Sequence, residues 1–529
     1  MPETYLKTKA KPRIERSNEV KHQARKLLGV LDVGSNSVRL VVFAGNRRVP
    51  EPVFNEKVLC GLGRQVGISG ELGETEMEMA FAALRRFRLV ADSMGLKKVH
   101  AIGTAAVREA TNGPAFLKRV RDEIGFDIEV ISGEEEGRLA AEGIFCGLPS
   151  ASGVVGDLGG GSLELAWVSR SRQKQVVSLP LGPLHLMARF GDDLGATYDY
   201  VVEELRKVDW LSGRRNKDFY MVGGAWRNIA KLLMLERQEV LPILHGYRIE
   251  RKDMQRYLRI LALVSPENVP YSSHIAGRRR AVLPHAAAVL GAILKVMKPS
   301  HLVVSSYGVR EGVLFGTMSK AQRRKDPFLV SCETLAQERS RFPEHAEALY
   351  RWTRSLLNGV PGHFTKDEAR LHLAACYLSD IAWRCHPDFK AEYAVDQALF
   401  GHYVGVGHKD RAFVGVVLNE SYGAKLEGSR AGSTLQLLEA DEIQRARVLG
   451  AGLRLAQRMS AGTMSLLSEC EMDFSKGMIT LKASPFFDAL AGDVVSQRLR
   501  DIGKLLGVST TVKIRKNITP PAEIDIEDL

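Results

Sequence analysis

The sequence predicts an α/β protein made of two copies of one domain, followed by a helical region and a small α+β end piece. Three observations predict it. At 529 residues the chain is too long for a single core. Strand-like apolar runs alternate with amphipathic stretches through residues 27–320, the pattern of α/β layers. Two glycine hairpins of matched spacing also stand a domain's length apart. Asp32, Gly34, Ser37 and Leu40 in the first correspond to Asp157, Gly159, Ser162 and Leu165 in the second, and Arg39 takes the place of Glu164. Such a repeat is the signature of a duplicated unit.

The elements follow in order. Residues 1–26 are basic and polar, and are expected to form a flexible tail with no signal-peptide core. Residues 27–150 form the first α/β domain: a hairpin over 27–43, a strand over 49–61, and a helix over 74–94. The helix follows from Met77, Phe81, Leu84 and Phe87 recurring at three and four. A strand at 98–103 comes next, then a helix starting at Pro114 and a strand over 127–131. Ser132 is placed to cap a further helix, with Glu135 completing a capping box. Residues 151–320 form the second domain. It holds the second hairpin, a strand–turn–helix at 219–230, an apolar helix over 284–296, a strand at 301–305, and a turn into a helix from Tyr307 to Gly312. Residues 320–327 read as a charged linker. Residues 321–465 read as helical (332–341, 345–357, 366–384, 395–404 and 440–459), and residues 466–529 as the α+β end piece with an acidic tail.

No long uncharged apolar run occurs, so no membrane span is expected. Six scattered cysteines without metal-type pairing point to reduced thiols and a cytoplasmic protein. The net charge of +12 favours a polyanionic partner. Aromatic residues do not interleave with basic clusters such as Arg278–Arg280, so nucleic acid is not expected.

The hairpins carry the first chemical signal. Glycine amides at Gly159, Gly160 and Gly161 approach an anion closely because no Cβ intervenes. Asp157 and Glu164 stand on either side of that turn, a good arrangement for holding a cation against a phosphate. The run Glu134–Glu136 lies at a helix start, where acidic residues are favoured by the dipole in any case, but where a carboxylate can also orient a water. Arg108 suits phosphate through its planar, two-pronged donor set.

These motifs occur in a fixed order: residues 32–37, 103–108, 132–138 and 157–162, then 179–182, 222–224 and 307–312. In that order they resemble the exopolyphosphatase / guanosine pentaphosphate phosphohydrolase family of the actin, sugar kinase and heat-shock-chaperone superfamily. The resemblance covers residues 27–320 and implies two actin-like domains with the site in the cleft between them. It implies removal of terminal orthophosphate from inorganic polyphosphate by water, with a divalent metal, usually Mg2+. Carried over by position, Glu136 is the expected general base, with Glu135 the alternative. Asp157 and Glu164 are the expected metal carboxylates. Gly34, Ser35, Asn36 and Ser37, with Arg39 and Arg108, and Gly159, Gly160, Gly161 and Ser162 are the expected phosphate contacts. The helical region resembles the His-Asp (HD) phosphohydrolase domain of longer members, and a homodimer is expected. Hydrolysis of guanosine pentaphosphate to the tetraphosphate is the nearest alternative, and a polyphosphate or alarmone sensor without turnover is another.

Departures from the family pattern are visible. His185 replaces an arginine usual after the motif at 179–182, and Ala225 replaces a hydroxyl residue. Trp226 is expected to narrow a nucleoside pocket. Ser379 stands where an HD enzyme carries a histidine, so independent metal chemistry there is not expected, although His372, His386 and His402 remain able to cluster.

Overall fold

The computed structural model describes residues 27–45, 48–169, 172–360, 364–475, 477–485 and 492–515. The tails expected at 1–26 and after 515 lie outside them, as does the side chain of Arg278.

The duplication is present in the topology. The first sheet contains β1 (Leu27–Val33), β2 (Val38–Ala44), β3 (Glu51–Val58), β4 (Val99–Gly103) and β5 (Glu129–Val130), in the order β3-β2-β1-β4-β5. The second contains β6 (Gly153–Leu158), β7 (Leu163–Ser169), β8 (Arg172–Leu179), β9 (Asp218–Val222), β10 (Arg248–Glu250) and β11 (His301–Val304). Its order, β8-β7-β6-β9-β11-β10, repeats the first and adds one edge strand. In each sheet the hairpin is antiparallel and its first strand pairs in parallel with the strand that returns from a helical crossover. The central strands are apolar on both faces because both faces are covered. Val30, Leu31 and Val33 of β1 are all fully buried.

What covers those faces decides the site. The helix Gly133–Gly147 leaves the first sheet and lies on the second, where Ala140, Ala141, Ile144 and Phe145 pack with Val155, Ala166 and Tyr220. The helix Val309–Thr317 does the reverse, setting Leu314 against Val30, Val41 and Phe43. The two helices cross where glycines remove the side chains. A methyl group on Gly143 would overlap the Gly308 carbonyl, and one on Gly312 the Leu139 carbonyl. Neither obstacle is a flexible side-chain end, so relief requires separating the helices. Gly143→Val is therefore expected to destabilise the fold by about 3 kcal/mol, read from the urea midpoint.

Residues 320–327 are not a plain linker. Ser319 and Gln322 form a reciprocal capping box that starts a short helix, Lys320–Arg324. Behind it come the helices Pro327–Arg339, His345–Thr353, Lys366–Leu378, Lys390–Phe400, His408–Ser421 and Ala440–Ser460. Sequence reading extended the third of these to residue 384, shifted the fourth to 395–404, and did not anticipate His408–Ser421. That last helix is rich in valine (Val414, Val416, Val417), which reads against helix, but it is buried almost throughout. The end piece holds β12 (Cys470–Ser475), β13 (Met478–Ala483) and β14 (Ser509–Ile514) in that order, with the helix Asp493–Leu506. It shares one apolar core with the helical region, and Trp352 Nε1 donates to the Cys470 carbonyl at 2.9 Å. Among the described residues, no helix is long and apolar enough to cross a membrane.

Among the described residues, His372, His386 and His402 do not cluster. His372 is fully buried against Tyr350, with Nε2 2.7 Å from Thr353 Oγ1. His386 caps an exposed turn, and His402 lines a separate crevice beside Glu51. Ser379 Oγ donates to the Cys376 carbonyl, and Asp380 is held by Arg341.

Candidate active site

The two glycine loops make the same turn. Gly34 N donates to Ser37 O at 3.0 Å, and Gly159 N donates to Ser162 O at 3.0 Å. Their carbonyls are tied outward in the same way. Ser35 O and Asn36 O accept from Gly63 N and Gly61 N, while Gly160 O and Gly161 O accept from Leu184 N and Gly182 N. In a trans peptide the N–H points opposite to the C=O. The amides of Asn36, Ser37, Gly161 and Ser162 are therefore turned away from the supporting segments, an anion-binding arrangement in each loop. The loops also face each other across the cleft. A methyl group on Gly160 would stand 3.0 Å from Ser35 Cβ, and one on Gly161 3.3 Å from Ser35 Oγ.

The cleft has a volume of about 600 Å3. Of the site residues expected from sequence, Gly34, Ser35, Asn36, Ser37, Arg39, Glu136, Asp157, Gly159, Gly160 and Ser162 line it. Gly161, Arg108 and Glu164 do not; Arg108 pairs with Glu136, and Glu164 acts on it as a like charge.

Helix capping aims Glu136. Ser132 Oγ accepts from Glu135 N at 3.1 Å, and Glu136 N donates to Ser132 O at 2.9 Å. The Glu135 carboxylate does not return to the cap. It is half-buried and paired with Arg138 at 2.6 and 2.7 Å. Glu135 therefore faces away from the cleft, because neighbours on a helix point about 100° apart. Glu136 is buried, its Oε2 has no hydrogen-bond donor, and Arg108 NH1 stands 3.6 Å from it. Arg108 is itself anchored to the Ile131 carbonyl at 2.9 Å. Burial raises the Glu136 carboxyl well above its ordinary value, Glu164 and Asp157 push it the same way, and Arg108 opposes them.

Glu164 is almost fully buried on β7, directly across the hairpin from Asp157. Its Oε1 accepts from Ser178 Oγ at 2.8 Å, and its Oε2 has no hydrogen-bond partner. Burial raises its pKa, and the Ser162 hydroxyl partly offsets this. Burial pushes Asp157 up to about 6, with Arg227 opposing. Three carboxylates thus share one low-dielectric corner with too little positive charge to settle them.

The opposite wall is cationic. Arg39, Lys57, Arg227, Arg279 and Arg310 all line the cleft. Arg310 NH1 reaches Asp32 Oδ2 at 3.3 Å, Arg227 is held by the Gly223 and Ser306 carbonyls, and Arg39 donates to Asn55 at 2.8 Å. Burial and Arg310 lower Arg39 to about 10, so it stays charged at neutral pH. Burial, with Arg279 and Arg227 next, lowers Lys57 to about 8. Among the described residues Arg39, Lys57, Arg227 and Arg279 make no ion pair, whereas Arg310 is paired with Asp32. An anion entering the cleft holds Lys57 protonated, whereas above about pH 8 the free cleft loses that charge. Anion affinity is therefore expected to fall as pH rises through about 8. In Lys57→Met, affinity at pH 7 should be about tenfold weaker and flat across that window, read by binding of labelled tripolyphosphate.

Sequence reading missed Lys57, Arg227 and Arg279 as site residues. Arg279 sits in a basic cluster that was noted, Arg227 lies three residues after Gly224, and Asn55 and Lys57 alternate on one face of β3. One other expectation is corrected. Trp226 narrows no pocket for a nucleoside: it is fully buried, edge-on to Phe219, and its Nε1 donates to the Ala286 carbonyl at 3.0 Å. Pro183 and Leu184 line the cleft, and His185 does not. Among the described residues, no aromatic side chain lines the cleft.

Comparison with known proteins adds a family context. The Ppx/GppA phosphatase family model matches residues 41–321, and that of the exopolyphosphatase C-terminal region matches residues 328–512. Retrograde regulation protein 2 of Saccharomyces cerevisiae is 24% identical over 447 residues, 77% of this chain and 74% of that protein. Exopolyphosphatase 1 of Mycobacterium bovis is 34% identical over 158 residues, which are 29% of this chain and 46% of the relative, so the match spans about half of that protein. The crystal structure of an exopolyphosphatase from Cytophaga hutchinsonii superposes with a TM-score of 0.50 at 25% identity, covering 55% of this chain and 96% of that one.

Proposed function

The chain belongs to the Ppx/GppA phosphatase family, and on that premise we propose that it is an exopolyphosphatase, releasing terminal orthophosphate from inorganic polyphosphate by attack of water. The observation that carries this reading is Glu136: a buried carboxylate with one oxygen lacking a donor, facing a cleft whose two glycine loops present amides to an anion. In the proposed reaction the loops seat the terminal phosphate, Glu136 takes the proton of the attacking water, and Arg108 keeps that carboxylate oriented. Arg39, Lys57, Arg227 and Arg279 hold the phosphates behind the terminal one. A pure anion sensor gains nothing from Glu136, Asp157 and Glu164 beside the phosphate, which favours turnover over regulation without it.

Magnesium fits the residues present. The donors are hard carboxylate oxygens, and Glu164 Oε2 is buried without a partner. Among the described residues no three metal-ligating side chains converge. Asp157 and Glu164 are the residues that would hold the ion. Bound there, the metal would supply charge neutralisation on the phosphoryl oxygens.

The lining also favours a linear polyphosphate over guanosine pentaphosphate. Five cations suit a repeating anion, and among the described residues no aromatic side chain offers a base a stacking face. The six cysteines are all unpaired thiols, which supports a reducing, cytoplasmic setting. A homodimer formed through the helical region and end piece is part of this proposal, checked by sedimentation. The deciding experiment compares phosphate release from long polyphosphate and from guanosine pentaphosphate, with and without Mg2+. Faster release from guanosine pentaphosphate would reverse the substrate assignment, and no release from either would leave the sensor.

A further inference from the structure

A second cavity, of about 760 Å3, opens in the second α/β domain between the helices Leu194–Arg206, Arg251–Leu263 and Leu283–Val296. It shares no lining residue with the cleft. Its size is within the roughly 300–1,000 Å3 of small-molecule sites. The walls are aliphatic, formed by Leu194, Leu258, Leu261, Pro284 and Leu294, with Tyr198 the single ring.

Four cations surround this cavity: Arg251, Arg259, Lys295 and Lys298. Among the described residues, no acidic residue lines it and none of the four makes an ion pair. Lys295 only leans over the Tyr198 ring, 5.6 Å from its centre. Several nearby basic residues behave differently. Lys252 pairs with Glu250 at 2.9 Å, Arg237 with Asp253 at 2.8 Å, and Lys207 with Glu204 at 2.6 Å. Unpaired positive charge thus borders the apolar opening.

We propose that this cavity binds a single-chain aliphatic ligand with an anionic head, a carboxylate or a phosphate. The tail lies between the three helices, and the head meets Arg251, Arg259, Lys295 and Lys298. The near absence of aromatic walls selects an aliphatic chain over a flat ring system, and the concave three-helix shape selects a single molecule over a bilayer surface.

The test uses the full chain and the fluorescent long-chain carboxylate cis-parinarate. Saturable, one-to-one binding is expected, displaced by dodecanoate and dodecyl phosphate and at least about tenfold more weakly by neutral dodecanol. The double substitution Arg259→Ala with Lys295→Ala should weaken binding by about tenfold or more, and Ala288→Trp should abolish it by filling the cavity. Phosphate release from polyphosphate should stay at the parental rate in both variants, which confirms folding and separates this test from that of the proposed activity. Equal displacement by dodecanol, undiminished binding in Ala288→Trp, or binding confined to phosphatidylglycerol vesicles would overturn the proposal. So would a fall in sedimentation mass in Ala288→Trp, because a second copy of the chain would then be the occupant.

Discussion

Glu136→Gln is expected to lower kcat for phosphate release from polyphosphate by about a hundred- to ten-thousand-fold, with KM little changed. The amide keeps the size of the side chain but cannot accept the water's proton. Stability should move the other way. A carboxyl whose folded pKa is raised binds its proton more tightly in the folded protein. Its contribution is therefore fully present below the unfolded value and is lost as pH rises through the folded one. At neutral pH the parental protein carries that penalty and Glu136→Gln does not, so the variant should unfold at an equal or higher urea concentration. Loss of activity together with loss of stability would instead indicate a structural role. The parental pH profile follows from the same charges. Activity should rise with pH as the Glu136–Glu164 pair ionises, with apparent values that belong to the pair, and should decline above about 8 as Lys57 discharges.

Glu164→Gln is expected to raise the Mg2+ concentration needed for half-maximal activity by about ten- to a hundredfold. Glu164 is nearly fully buried, has one oxygen without a partner, and faces Asp157 across the hairpin. Removing its charge also relieves Glu136, whose pKa it raises, so the acid limb of the pH profile should shift to lower pH. The two readouts distinguish a metal role from a purely electrostatic one. An unchanged magnesium response with a shifted acid limb would place Glu164 as a tuner of Glu136 and remove it from the metal site.

The loops were legible in the sequence because their chemistry is local. Spacing alone gave the turns, and the structure repeats the same Gly-to-Ser hydrogen bond in both. The duplication was legible for the same reason, and the repeated sheet order bears it out. Choosing between Glu135 and Glu136 was not possible from the string. Both follow the same cap, and the choice depends on which helix face meets the second sheet. Lys57, Arg227 and Arg279 were hidden for a related reason. A lone lysine on an edge strand looks like a solvated face until residues hundreds of positions away close the cleft over it. Trp226 was misread because bulk beside a glycine turn says nothing about direction, and the packing turns the indole into the core.

The sequence by itself determined the two α/β copies, the glycine cradles, and the residue types able to bind phosphate and move a proton. These depend on contacts within a few residues, which spacing encodes. Only the tertiary structure decided how charge is distributed. Two helices exchange sheets and cross at Gly143 and Gly312, bringing Glu136 of one copy against Glu164 and Asp157 of the other. Burial and like-charge repulsion, which no local pattern records, then set the protonation of those groups.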